Sequence, residues 1–144
     1  MTARVYNADQ VTVVYGAVIL NSGHGEDEFC RIEAEADLFE DMVGAAGEVV
    51  RSATNDRRAT VTITLLQTAP ENALLSAIAN VQKATKLGSE PLIVQDQNGT
   101  SVYKAEQAWI QREPDPTFSR SASTREWVIR CAELVRFDGS NNAA

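Results

Sequence analysis

The sequence has few of the residues from which most catalytic and metal sites are built. Its 144 residues include one histidine, His24, and two cysteines, Cys30 and Cys131. A single histidine removes most of the parts of a histidine-based metal site or a Ser-His-Asp triad. His24 lies between two glycines in a turn-like segment, where exposure to solvent is the simpler expectation. We therefore expect no enzyme activity, no metal ion and no cofactor.

The two cysteines lie far apart in strand-like segments. Cys30 and Cys131 have neither CxxC spacing nor a histidine nearby, which argues against a zinc site. Free thiols that pack as small hydrophobic side chains are the first interpretation. A disulfide between neighbouring subunits is the alternative that the sequence leaves open.

Long hydrophobic runs are missing as well. No run approaches the roughly 20 apolar residues that cross a bilayer. The segment Met1–Tyr6 lacks the basic start and apolar centre of a signal peptide. Because single cores typically take about 100–200 residues, we expect one domain over residues 1–144. It should fold in the cytoplasm of the cell that makes it.

Basic residues are outnumbered in this chain. Twenty acidic residues against 13 basic ones give a net charge of −7. An acidic domain gains no counterion-release attraction to nucleic acid, so tight DNA or RNA binding is not expected. The same charge is also compatible with plain solubility.

What the sequence does have is period-two alternation, which predicts strands with one buried and one wet face. In residues 30–38, one face would carry Cys30, Ile32, Ala34, Ala36 and Leu38, and the other Arg31, Glu33, Glu35 and Asp37. In residues 58–65, Ala59, Val61, Ile63 and Leu65 would face the core. Both segments are therefore predicted to be strands of a half-buried sheet.

Turn and cap signals place the other elements. Strands are predicted over 11–15 and 17–20, a turn over 21–25, a hairpin around Asn98-Gly99, and a last strand over 126–137. Thr68 and Glu71 have capping-box spacing before an apolar stripe of helical period, which predicts one amphipathic helix. Residues 138–144 are predicted to be a frayed tail. The sum is seven or eight strands and one helix.

The segment 39–58 breaks this regularity. Short strand-like pieces at 41–43 and 48–50 flank Gly44-Ala45-Ala46-Gly47, which predicts a β-hairpin with too little apolar surface to pack by itself. The glycines lack the GxGxxG spacing of a phosphate-binding loop. A connection near 20 residues long is usually functional.

Several segments in order carry a family resemblance. They are 44–51, 55–65, 67–76, Asp96-Gln97-Asn98-Gly99, Ala108-Trp109-Ile110 and Arg125-Glu126-Trp127. From about Tyr6 to Asn141, this order resembles a family of small structural proteins regarded as the tail tube subunits of contractile-tailed bacteriophages. The chain departs from the family pattern at Ala46, where an acidic residue is expected, and at 138–141, where a Gly-Gly-Asn ending is expected.

The resemblance implies a mainly β fold with one flanking helix, a β-sandwich or half-barrel. Copies would form a hexameric ring with a continuous inner β-barrel, and stacked rings would form a hollow tube in the tail of the virion, which conducts DNA into the host. It also implies partners: further copies of the chain, the tail sheath protein, and the baseplate and tail terminator proteins. The tape measure protein and genomic DNA would pass through the lumen without specific binding.

The resemblance also assigns positions. The segment 39–58 matches a loop that reaches the adjacent ring, and the candidate contact residues in it are Asp41, Val43, Gly44, Gly47, Glu48 and Arg51. The candidate lumen-facing acids are Glu33, Glu35 and Asp37, because like charge would repel passing DNA. Alternatively, these acids face outer solvent or pair with a neighbouring subunit.

Two other functions stay open at this level. The tube of a phage-like bacteriocin or secretion machine would share the architecture without carrying a genome. The third hypothesis is an unrelated β-barrel binding module or small enzyme.

Overall fold

The computed structural model describes residues 3–20 and 28–140, and shows a mainly β fold with one α-helix, as predicted. The elements are β1 (Val11–Tyr15), β2 (Val18–Ile19), β3 (Cys30–Ala34), β4 (Phe39–Val43), β5 (Val49–Ala53), β6 (Ala59–Leu66), α1 (Glu71–Thr85), β7 (Glu90–Asp96), β8 (Val102–Arg112), β9 (Thr124–Cys131) and β10 (Val135–Phe137). The main sheet has the order β2-β1-β7-β8-β9-β6-β3, with β10 beside β8, whereas β4 and β5 pair only with each other.

The core lies on one face of the main sheet. The alternation predicted for β6 is confirmed, since Ala59, Val61, Ile63 and Leu65 are all buried. The sheet also curls. Cys30 and Ile32 of the edge strand β3 line the same groove as Val11 and Val94 of β1 and β7. Strands that are far apart in the sheet order thus face each other, which gives the expected half-barrel.

The helix α1 is confirmed, but its predicted capping box is wrong. The residue at its N-cap is Pro70, which makes no side-chain cap, and Thr68 is exposed. Asn72 ties this end of the helix to the sheet instead. Its amide nitrogen donates to the carbonyls of Leu66 and Ala69 at 2.9 and 3.0 Å, and its oxygen accepts from the buried Trp127 indole at 2.9 Å.

Gln82 fastens the second half of α1. Its carboxamide oxygen accepts from the Ile110 backbone N–H at 3.0 Å, and its nitrogen donates to the Tyr15 hydroxyl at 3.1 Å. The Tyr15 hydroxyl in turn donates to the Ala108 carbonyl at 2.9 Å. The helix is therefore joined to β8 at the end opposite Asn72.

The predicted hairpin around Asn98-Gly99 is confirmed as β7–β8, and its turn holds both the N-terminal and the C-terminal segments of the described chain. Asn7 and Asn98 bond reciprocally, at 3.0 and 2.8 Å. On the other side, the Gly139 N–H donates to the Ser101 hydroxyl at 2.9 Å. The prediction that the tail frays from residue 138 is therefore wrong for 138–140, and 141–144 lie outside the described residues.

Two predicted strands have different limits in the structure. The strand over 30–38 ends at Ala34, because its partner β6 begins at Ala59, directly opposite Ala34. Leu38, expected to face the core, is 82% exposed. The last strand, predicted over 126–137, is divided into β9 and β10 by residues 132–134, where Leu134 turns into the core. The predicted turn at 21–25, with His24, lies outside the described residues.

Candidate assembly surfaces

The segment 39–58 contains an antiparallel hairpin, β4–β5, in which every strand residue is exposed. Phe39 pairs with Ala53 at its base and Val43 with Val49 at its tip. The tip is closed by bonds from the Gly44 N–H to the Glu48 carbonyl, at 2.7 Å, and from the Gly47 N–H to the Gly44 carbonyl, at 3.0 Å. Gly47 has a φ of 87°, which explains glycine at this position.

The tip of this hairpin is apolar on both faces. Val43 and Val49 lie opposite each other on one face, 64% and 66% exposed, and Met42 and Val50 on the other, 68% and 53% exposed. A lone two-stranded hairpin is marginally stable in water, and exposed apolar surface of this kind marks interaction sites. The candidate contact residues all lie here: Asp41 and Val43 in β4, Gly44, Gly47 and Glu48 in the turn, and Arg51 in β5.

The second surface is the side of β3, β6 and β9 that points away from the core, which we call the wet face. Glu33 lies in β3, where its carboxylate is 2.6 Å from the Arg31 guanidinium. Glu35 and Asp37 lie beyond the end of β3. The Glu35 carboxylate is 2.6 Å from the Arg130 guanidinium and accepts a hydrogen bond from the Thr60 hydroxyl at 2.7 Å.

These contacts change the electrostatic character expected of the face. The hydrogen bond from Thr60, and then the charge and hydrogen bond of Arg130, lower the pKa of Glu35. Glu33 and Glu35 thus each have an arginine partner within their own subunit. At Glu33 and Glu35 the face therefore carries paired charges rather than free carboxylates, beside the partly exposed outward row Thr60, Thr62 and Thr64. Sequence reasoning missed Arg130, since only the β6–β9 register brings it beside Glu35.

Both thiols are free; Cys131 is buried, and Cys30 is partly buried. Burial raises the pKa of Cys131 to about 11, and burial, with a contribution from Glu28, raises that of Cys30 to about 12. Cys131 is fully buried in the core, so its sulfur would have to leave the core to reach another subunit. Cys30 borders the groove between β3 and β7. A bond between subunits stays a prediction.

Residues 3–20 and 28–140 contain no group of three or more His, Cys, Asp or Glu side chains able to hold a metal ion. Within the same ranges, no helix has the length and apolarity needed to span a bilayer.

The fold is that of the tube and tube-terminator proteins of contractile injection particles. The chain is similar to the sheath/tube terminator of an extracellular contractile injection system, PVC, with a TM-score of 0.65 at 12% identity over 96% of this chain and 98% of the other. It is similar to a chain of the PVC sheath-tube complex, with a TM-score of 0.64 at 11% identity over 92% and 91%. A chain of a native gene transfer agent virion gives 0.61 at 11% identity over 93% and 100%.

The chain belongs to the family of the bacteriophage PhiTE tail tube protein, which matches residues 6–138. It is also 28% identical to the structural protein ORF10 of Pseudomonas phage KPP10, over 94% of this chain and 83% of that protein. The family and the similar folds are those of structural tube proteins, so this chain is a phage structural protein and not an enzyme.

Proposed function

We propose that this chain is the subunit of the inner tail tube of a contractile-tailed bacteriophage. Hexameric rings of the chain stack into a hollow tube that conducts DNA into the host. The observation that carries the proposal is the β4–β5 hairpin, which the main sheet leaves uncovered and which exposes apolar side chains on both faces. In a family of tube proteins, the natural cover for such a hairpin is another copy of the same chain.

The hairpin makes the contact between rings in this proposal. Val43 and its neighbours at the tip enter the adjacent ring, and Asp41, Glu48 and Arg51 give the contact its charge pattern. Gly44 and Gly47 keep the turn tight enough for the tip to enter. Burial of four exposed apolar side chains, Met42, Val43, Val49 and Val50, would supply several kcal/mol, at about 1.5–3 kcal/mol for each fully buried side chain.

The wet face of β3, β6 and β9 lines the lumen. Strands with one buried and one wet face suit a large barrel with an aqueous channel. Glu33 and Glu35 lie on this side, and the two arginines beside them are already paired with these carboxylates. Asp37, just beyond β3, would join them in the lumen. Since paired guanidinium groups attract phosphates less, DNA and the tape measure protein can slide past without specific binding.

The partners follow from the same position in the particle. The outside of the tube would meet the tail sheath protein, and its ends the baseplate and tail terminator proteins. The similar folds in a sheath-tube complex and in a sheath/tube terminator support this. The assembled protein would be part of the virion tail, with assembly in the cytoplasm of the bacterial host. Because those folds come from an injection system, a tube that carries no genome is the second candidate function.

The test is self-assembly of the purified chain. At high concentration, negative-stain electron microscopy and sedimentation should show rings or stacked tubes. A variant in which Asn-Gly replaces residues 42–50, so that a tight turn joins Asp41 to Arg51, should form rings but no stacks. Asn80→Ala, on an exposed helix position, serves as the control. A wild-type chain that stays monomeric under all conditions would refute the proposal. The phage and injection-system alternatives are separated by DNA in particles that contain the chain.

A further inference from the structure

The outer face of the main sheet carries a continuous row of side chains, all of them exposed except the partly buried Val14. Directly paired residues of five strands form it: Ile19 pairs with Val14, Val14 with Ile93, Ile93 with Lys104, and Lys104 with Val135. Paired residues of antiparallel strands point to the same face. Their side chains therefore form one row from β2 to β10, which we call the outer row.

The outer row is apolar apart from Lys104. Ile19 is 58% exposed, Ile93 39% and Val135 65%, whereas the side chains on the opposite face of the same sheet form the buried core. Phe137, two residues beyond Val135 on the same face, is 62% exposed. A row with apolar side chains on four of its five strands is a patch rather than a set of isolated exposures, and such patches mark interaction surfaces.

A groove runs beside the outer row, where the interruption between β9 and β10 opens the surface. It has a volume of about 630 Å³, and it is lined by Pro91, Ile93, Lys104, Glu106, Glu133 and Val135, among others. Its walls thus combine an apolar floor with one cation and two carboxylates. A surface of this composition fits a segment that carries apolar side chains beside charges of both signs.

Lys104 restricts what can cover the row. It forms no ion pair with any residue in the described ranges. Covering an unpaired ammonium group with apolar surface would remove it from water without any compensating interaction. A segment that docks on the outer row must therefore bring a carboxylate to Lys104.

We propose that the outer row is the receptor for the β4–β5 hairpin of a second copy of this chain. This inference rests on the proposed function, and it names the surface that the inter-ring hairpin contacts. The docking face of the hairpin carries the pairs Val43/Val49, Asp41/Arg51 and Phe39/Ala53.

The two surfaces match in spacing and in charge. Asp41 and Val43 are two residues apart on one strand, hence about 7 Å apart on one face. Neighbouring strands lie about 4.8 Å apart, so a point midway between Val14 and Ile93 lies about 7 Å from Lys104. With Val43 and Val49 seated between Val14 and Ile93, Asp41 reaches the Lys104 ammonium group. Arg51, opposite Asp41, then points toward Glu106 and Glu133.

Asp41 has no ion-pair partner in the described part of its own chain. Arg51, which lies opposite it, is placed over the Phe39 ring instead, at 4.4 Å. The Asp41 carboxylate and the Lys104 ammonium group are therefore both without an ion-pair partner in the described part of one subunit. Each would pair with the other group in a neighbouring copy.

Cysteine crosslinking tests the contact directly. The variant Val43→Cys/Ile93→Cys, oxidised after assembly, should give a ladder of disulfide-linked oligomers on non-reducing gels. Met42→Cys/Ile93→Cys places the hairpin thiol on the opposite face and should crosslink at least about tenfold less. Val43→Cys/Thr62→Cys tests the wet face instead. Strong crosslinking to Thr62→Cys with none to Ile93→Cys would overturn the assignment. Circular dichroism and the melting temperature of each variant verify that the subunit is folded.

A charge exchange tests the pairing of Lys104 with Asp41. Lys104→Glu should reduce the sedimentable fraction about tenfold or more, since tenfold corresponds to only about 1.4 kcal/mol. Adding Asp41→Lys should restore assembly, whereas adding Glu40→Lys, on the opposite face of the hairpin, should not. Equal assembly of Lys104→Glu and wild type would refute this inference while leaving the proposed function intact. Failure of the wild-type chain to assemble at all would instead refute the proposed function.

Discussion

The Arg130 guanidinium lies 2.6 Å from the Glu35 carboxylate, and it also donates to the Thr60 hydroxyl at 2.9 Å. The Thr60 hydroxyl in turn donates to the same Glu35 carboxylate. Three side chains from β9, β6 and the segment after β3 thus form one closed hydrogen-bonded unit. It fixes the chain at the point where β3 ends and the excursion to the β4–β5 hairpin begins.

This unit predicts a dependence of stability on pH. The pKa of Glu35 in the folded state is below its ordinary value of about 4.3. Its contribution is therefore complete above about pH 4.3 and is lost as the pH falls through the lowered folded-state pKa. Urea unfolding should show that Glu35→Gln is less stable than wild type at pH 7 and that the difference shrinks below pH 4. A constant difference at all pH values would contradict this. Glu126→Gln, exposed on the same face, is the control.

Reversal of the candidate lumen charges should hinder passage of DNA. Phage that carry Glu33→Lys, Glu35→Lys and Asp37→Lys would present added ammonium groups beside arginines that have lost their partners. Ejection should slow, and the slowing should weaken as salt is raised, because phosphate attraction is screened. Asp9→Lys, at an exposed site before β1, is the control. Normal ejection by the triple variant would exclude these residues from the lumen.

Asn72 should contribute strongly to the free energy of unfolding. Asn72→Ala leaves the buried Trp127 indole N–H without its acceptor and removes the bonds to the carbonyls of Leu66 and Ala69. An unsatisfied buried donor costs about 1–3 kcal/mol, so we expect a loss of about 2 kcal/mol by denaturant titration. Asn80→Ala changes the same residue type on an exposed part of α1 and should have little effect. Equal effects of the two substitutions would contradict this role for Asn72.

Gly139 should tolerate no side chain. A Cβ atom there would lie 1.9 Å from the Thr100 hydroxyl oxygen and 2.8 Å from its backbone carbonyl carbon, so the backbone must move. Gly139→Ala should break the bond to Ser101 and speed hydrogen exchange at the Thr100 amide, which bonds to the Ser140 carbonyl. At Gly44 a Cβ would make only ordinary contacts, the nearest at 3.7 Å, so Gly44→Ala serves as the control. Unchanged exchange at Thr100 would show that the segment is not held this way.

The thiols should react slowly while the chain is folded. With pKa values raised to about 12 for Cys30 and about 11 for Cys131, the thiolate fraction at pH 8 is very small. Alkylation should be on the order of 10² times slower or more in buffer than in urea, because the thiolate is the nucleophile. Single variants, Cys30→Ser and Cys131→Ala, assign the rates. Rapid alkylation of folded protein at Cys131 would contradict its burial.

Alternation identified the strands well and their lengths poorly. The buried face of β6 follows directly from its sequence because β9 pairs with it along its whole length and β3 pairs with residues 59–63 on its other side. Residues 35–38 keep the same alternation, yet no partner strand extends past Ala59 to cover them. Strand length depends on the partner as well as on the strand, and a local pattern does not contain that information.

The candidate surfaces also include features that the local sequence predicts and features that it does not. The hairpin was predictable because Gly44 and Gly47 between short β-branched runs are a local signal. The pairing of Glu35 with Arg130, and the alignment of Val14 with Ile93 and Val135, were not. Those relationships arise only from registers between strands that are distant in the sequence.

The turn between β7 and β8 couples the stability of two segments that are distant in the sequence. Asn98 holds the segment around Asn7, and the adjoining Thr100 and Ser101 hold the segment around Gly139. Opening of this turn would release both segments at once, so residues from the beginning and the end of the described chain form one cooperative unfolding unit. Their amides should therefore exchange with a shared opening free energy, although more than a hundred positions separate them in the sequence.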